Sequence, residues 1–111
     1  MMTGSDVVIM RVFLGEADKY DGEVMYKYIL NLLKKEGIAG ATVFRGIMGY
    51  GSSSFIHSAS ILDISEDLPI VIEAMDTQEK IDSFIPKLEK ILPGGQVVLE
   101  NARIVRFREK T

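Results

Sequence analysis

Twice along this chain of 111 residues an alternation of period two gives way to apolar residues at helical spacing, and that repetition restricts the folds open to it. In the first pass Asp6 to Leu14 alternates, with Val8, Met10, Val12 and Leu14 on one face and Val7, Ile9, Arg11 and Phe13 on the other. The first face is wholly apolar and is predicted to be core. Gly15 to Gly22, with Asp18, Lys19, Tyr20 and Asp21, reads as a polar surface connector. From Glu23 onward Val24, Met25, Tyr28, Ile29, Leu32 and Leu33 fall on one stripe of a helix. Asp21 and Glu23 stand at its start, Lys34 and Lys35 complement its dipole at the end, and Gly37 sits where a left-handed cap is wanted.

The second pass runs from Leu68 to Met75, a strand with Pro69 at its tolerated first position and a predicted central place in the sheet. Asp76-Thr77-Gln78-Glu79 then resembles a capping box with Asp76 as cap, and Ile81, Phe84, Ile85, Leu88, Ile91 and Leu92 follow at helical spacing. Pro86 removes one hydrogen bond inside this helix, so a kink is expected between Asp82 and Pro86. Pro93-Gly94-Gly95 ends it, and Gln96 to Arg108 forms a final β segment, predicted to split near Glu100-Asn101.

Between the two passes lies the glycine-rich stretch from Gly37 to His57. Ala41 to Met48 has strand composition, punctuated by Gly46, Gly49 and Gly51, and Ile56 to Ile64 carries a weaker strand pattern. Gly49-Tyr50-Gly51-Ser52-Ser53-Ser54 offers bare amides and hydroxyls. Two readings of it stand: a flexible segment that wraps an anion, or a hairpin loop with no ligand, expected to be mobile from Gly51 to Ser54. The order strand, helix, strand, strand, helix, strand places the chain in the α+β class. Two βαβ halves give a ferredoxin-like βαββαβ sandwich, a four-stranded antiparallel sheet with two helices on one face, as a single domain over residues 1–111.

Composition narrows the function. The chain has no cysteine, so disulfides and cysteine zinc sites are excluded, and the lone His57 builds no histidine cluster within one subunit. A net charge of −3 argues against nucleic acid and anionic membranes as partners. The start Met1 to Asp6 has no basic n-region and the apolar runs fall well below the ~20 residues of a membrane span, so a cytoplasmic location is expected. Arg103, Arg106, Arg108 and Lys110 crowd the end of this acidic chain, where they read either as an anion site or as solvated charge on an edge strand. His57 reads as a loop histidine, and Asp63, Glu66 and Asp67 as a solvated acidic turn. No side-chain constellation suggests catalysis.

Gly37-Ile38-Ala39-Gly40-Ala41-Thr42-Val43-Phe44-Arg45-Gly46, Gly49-Tyr50-Gly51, Leu68 to Glu73 and Asp76 to Ile81 resemble the motifs of the PII-like signalling superfamily. Within it they resemble the group catalogued as domain-of-unknown-function family 190, over roughly residues 6 to 108. The resemblance implies a ferredoxin-like homotrimer that is not an enzyme and requires no cofactor. It implies a small anionic ligand, an adenine nucleotide or another phosphorylated molecule, held between subunits, and a protein or membrane-transporter target reached by the loop after the second strand. By the same resemblance Gly49, Gly51 and Ser52 enter that loop, Gly94 and Gly95 present amides to phosphates, and Arg106 and Arg108 come from the neighbouring subunit, with Arg103 competing for the Arg106 role. The segment between Gly51 and Leu68 is shorter than the PII loop and lacks its tyrosine modification site.

Other classes compete with a ligand sensor. A structural or protein-binding trimer without a small ligand is the main alternative. A small enzyme of the acylphosphatase kind needs a glycine-rich phosphate loop where this chain has Glu16-Ala17-Asp18-Lys19. An RNA-recognition module needs stacking aromatics where this chain has Ile47 and Met48.

Overall fold

The computed structural model of the chain describes residues 2–51 and 67–109. The expected strand from Ile56 to Ile64, Ser52 and the serines after it, His57, Asp63 and Glu66 lie outside these residues. Eight elements follow in order: β1 (Met2–Gly15), β2 (Lys19–Tyr20), β3 (Glu23–Val24), α1 (Met25–Lys35), β4 (Gly40–Arg45), β5 (Pro69–Asp76), α2 (Gln78–Ile91) and β6 (Val97–Phe107). The four long strands form one antiparallel sheet in the order β4-β5-β1-β6, which is the ferredoxin-like arrangement.

Alternation along β1 and β5 decides what the sheet buries. Val8, Met10, Val12 and Leu14 from β1 and Ile70, Ile72 and Ala74 from β5 point to one face, where both helices lie. Ile29 and Leu33 of α1 and Ile81, Phe84, Leu88 and Ile91 of α2 close over them, and all thirteen form one cluster. Burying a side chain of this size stabilises by about 1.5–3 kcal/mol, which outweighs the loss of one hydrogen bond at Pro86, and α2 runs through that residue. Among the described residues no polar or charged side chain is fully buried.

The local structure corrects the sequence reading at four places. The connector before α1 is a small hairpin: β2 pairs with β3 across Asp21 and Gly22, whose φ angles of 51° and 79° are those of a primed turn. Glu23 is thereby a strand residue, and α1 begins at Met25 with no acidic first turn. The first helical amide, that of Met25, donates instead to the Asp18 carbonyl at 2.8 Å.

At the α2 start the cap is Thr77, whose hydroxyl accepts from the Lys80 amide at 3.3 Å. Asp76 turns back instead, accepting from the amides of Ala39 at 2.8 Å and Thr77 at 2.6 Å. β6 does not split at Glu100-Asn101; it pairs with β1 without a break from Val97 to Phe107. The strand after α1 ends at Arg45 rather than Met48. At the α1 end the expectation holds. Gly37, at φ 79°, donates to Lys34 and Ile38 donates to Leu33, the paired bonds of a Schellman cap.

Candidate functional site

Three loops meet at one end of the sheet. β1 ends there at Gly15, beside Pro69 at the start of β5, and the Gly46 amide donates to the Pro69 carbonyl at 2.7 Å. At Gly46 an added Cβ would stand 2.8 Å from the Pro69 ring. Glycine is therefore required for β4 to leave the sheet against that ring. The Pro93-Gly94-Gly95 turn lies at this same end, on the opposite edge, because β6 begins with Val97 paired to Val12. Gly49, Gly51, Gly94 and Gly95 thus share one end of the sheet, with β5 and β1 between the two groups.

The connector after β1 completes this end but is closed to anions. The Gly15 amide donates to Asp18 Oδ2 at 2.9 Å, Glu16 to the Leu68 carbonyl at 2.8 Å, and Ala17 to Asp67 Oδ1 at 2.9 Å. Successive amides that would cradle a phosphate are already spent, two of them on carboxylates. The loop is thus not the free phosphate cradle that the acylphosphatase reading needs at this place, and it gives Asp67 a structural task that its place in an acidic turn did not announce. Burial is the main cause that raises the Asp18 pKa, opposed by the Gly15 amide and reinforced by the nearby charge of Asp67. Glu16 is ion-paired with Arg45 at the end of β4.

Beside Gly94 and Gly95 run two open clefts. One is lined by Ile85, Leu88, Glu89, Leu92 and Val97 between α2 and the edge of β6, the other by Asp18, Lys19, Met25, Ile91 and Pro93. Gly94 takes a left-handed φ of 77°, and the Gly95 amide donates to the Leu92 carbonyl at 2.8 Å. A phosphate that takes the Gly95 amide displaces that bond. Among the described residues the charged groups lining these clefts are Asp18, Glu89 and Lys19, and no arginine lines them.

The predicted arginines lie far away. Arg103 pairs with Asp6 and Arg106 with Thr3, toward the opposite end of β6, and Arg108 follows the strand. From Val97 to Arg106 the strand covers roughly 30 Å at ~3.3 Å per residue. Register also separates the arginines from one another. Arg103 shares the helix-side face with Asn101 and Val105, whereas Arg106 shares the other face with Ile104 and Ala102. One chain does not assemble the predicted site.

On the sheet face away from the helices, Arg11 makes two ion pairs, with Glu73 at 3.0 Å and Glu100 at 2.8 Å. Val7, Ile9 and Phe13 share that face with Phe44, Val71 and Val98, and Phe13, Phe44 and Val98 are exposed. The sequence reading placed Arg11 on this face but did not find its partners. A single charge among Val7, Ile9 and Phe13 was the available signal, since a cation on an apolar face needs carboxylates on adjacent strands. These two pairs also raise the Arg11 pKa, the bond to Glu100 being the larger cause, so its charge is permanent. Among the described residues no cluster suits a metal ion, and no helix is long and apolar enough to cross a membrane.

Fold and strand order together define a ferredoxin-like α+β protein. The apo form of CPII, a nitrogen regulatory PII-like protein from Thiomonas intermedia K12, superposes with a TM-score of 0.60 at 18% identity, covering 96% of this chain and 99% of that one. CPII bound to ADP, AMP and bicarbonate gives 0.62 at 17% identity, covering 97% and 100%. The GlnK-ATP complex of B. subtilis gives 0.56 at 14% identity, covering 87% and 82%. The chain belongs to the DUF190 family, described as Uncharacterized ACR, COG1993, whose profile matches residues 7–104. It is 41% identical over 91 residues to UPF0166 protein MJ1524 of Methanocaldococcus jannaschii, covering 82% of this chain and 83% of that one. To a UPF0166 protein of Aquifex aeolicus it is 35% identical over 97 residues, covering 87% and 91%.

Proposed function

We propose that the protein is a ligand-sensing homotrimer of the PII-like kind, not an enzyme, which binds an adenine nucleotide or another phosphorylated small molecule between subunits. The observation that carries this reading is the separation along β6. The glycine turn able to present amides stands at one end and Arg103, Arg106 and Arg108 stand at the other, so a site that uses both draws on two copies. Backbone amides and guanidinium groups are the usual ligands of phosphate. Adenine nucleotides in the CPII and GlnK complexes support the choice of ligand class. The exposed apolar residues of the open sheet face support assembly, because such a face is covered in a stable protein.

In this arrangement Gly94 and Gly95 face the phosphates, Arg106 or Arg108 of a neighbour neutralises them, and Gly49, Gly51 and Ser52 border the ligand. Arg103, on the other face of β6, is the weaker candidate for the Arg106 role. No cofactor is required. A protein or transporter target in the cytoplasm is the natural reader of such a sensor. Thermal-shift screening against a nucleotide panel, followed by calorimetry, tests the reading. A charge-assisted contact is worth about 1.5–3 kcal/mol, so Arg106→Ala should weaken binding by roughly ten- to a hundredfold. If no nucleotide shifts the melting temperature at millimolar concentration, the trimer is better explained as a protein-binding or structural assembly.

A further inference from the structure

The small β2–β3 hairpin is anchored on every side. The Asp18 amide donates to the Gly15 carbonyl at 3.2 Å, and the Asp18 carbonyl accepts from the Met25 amide at 2.8 Å. Lys19 pairs with Val24, and Tyr20 with Glu23, across the Asp21-Gly22 turn. Tyr20 also packs on Tyr28 of α1, with ring centroids 4.8 Å apart. The backbone of Lys19 is thus held between two fixed neighbours, and its side chain starts from a set place.

That place is the rim of a cleft. Asp18 and Lys19 from the hairpin side and Leu92, Pro93 and Gly95 from the turn after α2 line a volume of about 250 Å³. Among the described residues Lys19 is the only cation lining it. Asp18 is engaged, since its Oδ2 accepts from the Gly15 amide at 2.9 Å. Lys19 is not: among the described residues the ion pairs take up Arg11, Arg45 and Lys87, and the residue opposite Lys19 in the hairpin is the apolar Val24.

An anion that approaches the glycine turn meets a chain of net charge −3, so a cation close by is needed to draw it in. Arg11 and Arg45 are engaged with carboxylates, and Arg103 and Arg106 stand toward the far end of β6. The four-carbon stem of lysine lets its charge reach across a cleft of this size without any movement of the backbone.

We infer that Lys19 is a phosphate-binding residue of the glycine-turn site, contributed by the same chain as Gly94 and Gly95. The inference rests on the phosphorylated ligand proposed above and adds a residue to its site. It also gives the β2–β3 hairpin a task, which is to carry a cation from the β1 side of the molecule to a turn that follows α2. Lysine meets phosphate as a point charge, so the contact reads charge and not the base or the sugar.

Calorimetry with ADP and with inorganic pyrophosphate tests this. Lys19→Gln should weaken both by about tenfold and make the affinity less sensitive to salt, whereas Lys19→Arg should retain most of it. The melting temperature without ligand should be the same in all three proteins. Lysine acetylation of the wild-type chain, read by mass spectrometry with and without ADP, gives an answer that no substitution can disturb. ADP should protect Lys19 and leave the rate at Lys27, exposed on α1, unchanged. Unaltered affinity in Lys19→Gln, or acetylation of Lys19 that ADP does not slow, overturns the role of Lys19 and leaves the nucleotide reading in place. If neither probe binds the wild-type protein at millimolar concentration, both fall together.

Discussion

The two glycines after α2 are required for different reasons, and the difference is measurable. At Gly95 an added Cβ would sit 2.9 Å from the Leu92 Cβ and 3.1 Å from its carbonyl oxygen, and neither of those atoms belongs to a flexible side-chain end. Gly95→Ala therefore forces the turn apart, and a destabilisation of about 1–3 kcal/mol is expected in urea unfolding. Gly94 has open space around its Cβ position, but its φ of 77° disfavours any L side chain. Gly94→Ala should cost about 1 kcal/mol, and Gly94→Asn less, because asparagine tolerates the left-handed region. Equal losses at the two positions would show that packing against Leu92 does not hold the turn.

At the scale of elements, helix ends and helix contacts set the smaller energies. Thr77 caps α2 through a bond of 3.3 Å, so Thr77→Ala should destabilise by about 0.5–1 kcal/mol while Thr77→Ser retains the cap. An effect confined to Asp76→Ala, with none at Thr77, would return the cap to the position the sequence suggested. α1 and α2 are tied by Glu36, whose carboxylate meets Lys87 Nζ at 2.8 Å. That bond is the largest cause lowering the Glu36 pKa below the ordinary 4.5. A lowered carboxylate pKa means that the unfolded state binds more protons through this range. The contribution is therefore fully present above pH 4.5 and is lost as the pH falls through the folded value. Glu36→Gln should flatten the acid side of the melting-temperature profile and leave the slope near neutrality unchanged. Asp18 acts with the opposite sign. Its raised pKa penalises the charged form at neutral pH, and acidification through the folded value relieves the penalty.

For the whole molecule, the open sheet face decides whether a lone chain is a complete structure. Phe13, 39% exposed, and Phe44, 50% exposed, lie on it with Ile9, Val71 and Val98 around the Arg11 ion pairs. Phe13→Asp places an unpaired charge in that cover, and light scattering at micromolar concentration should show trimers giving way to smaller species. A wild type that already scatters as a monomer would remove the assembly altogether. The β1–β6 pairing runs past the end of β5 at one end of the sheet, and the glycine turns stand at the other, so the two ends of the molecule differ in chemistry.

Much of the fold was legible because local spacing and burial agree. Val8, Met10, Val12 and Leu14 alternate over seven residues of one strand, and burial of that face needs only a helix stripe such as that of Ile29 and Leu33. Gly37 announced its cap because few other residues adopt its φ of 79°. Asp21-Gly22 carried an equally local signal for the β2–β3 hairpin, which was overlooked inside a polar connector. What spacing could not decide depended on partners distant in sequence. Glu100 and Asn101 look like a strand break until β1 supplies continuous pairing and Arg11 supplies a cation. Asp76 looks like a cap until the Ala39 amide arrives from the end of α1. Gly94, Gly95 and the arginines are neighbours in a motif, yet an extended strand moves each residue ~3.3 Å further away. The sequence thus determined the layers and the chemistry on offer, through periods of two and 3.6 and through residue type. Tertiary structure alone decided which of those groups one chain brings together, because antiparallel register sets the distance between them and holds the arginines at the far end of β6 from the glycine turn.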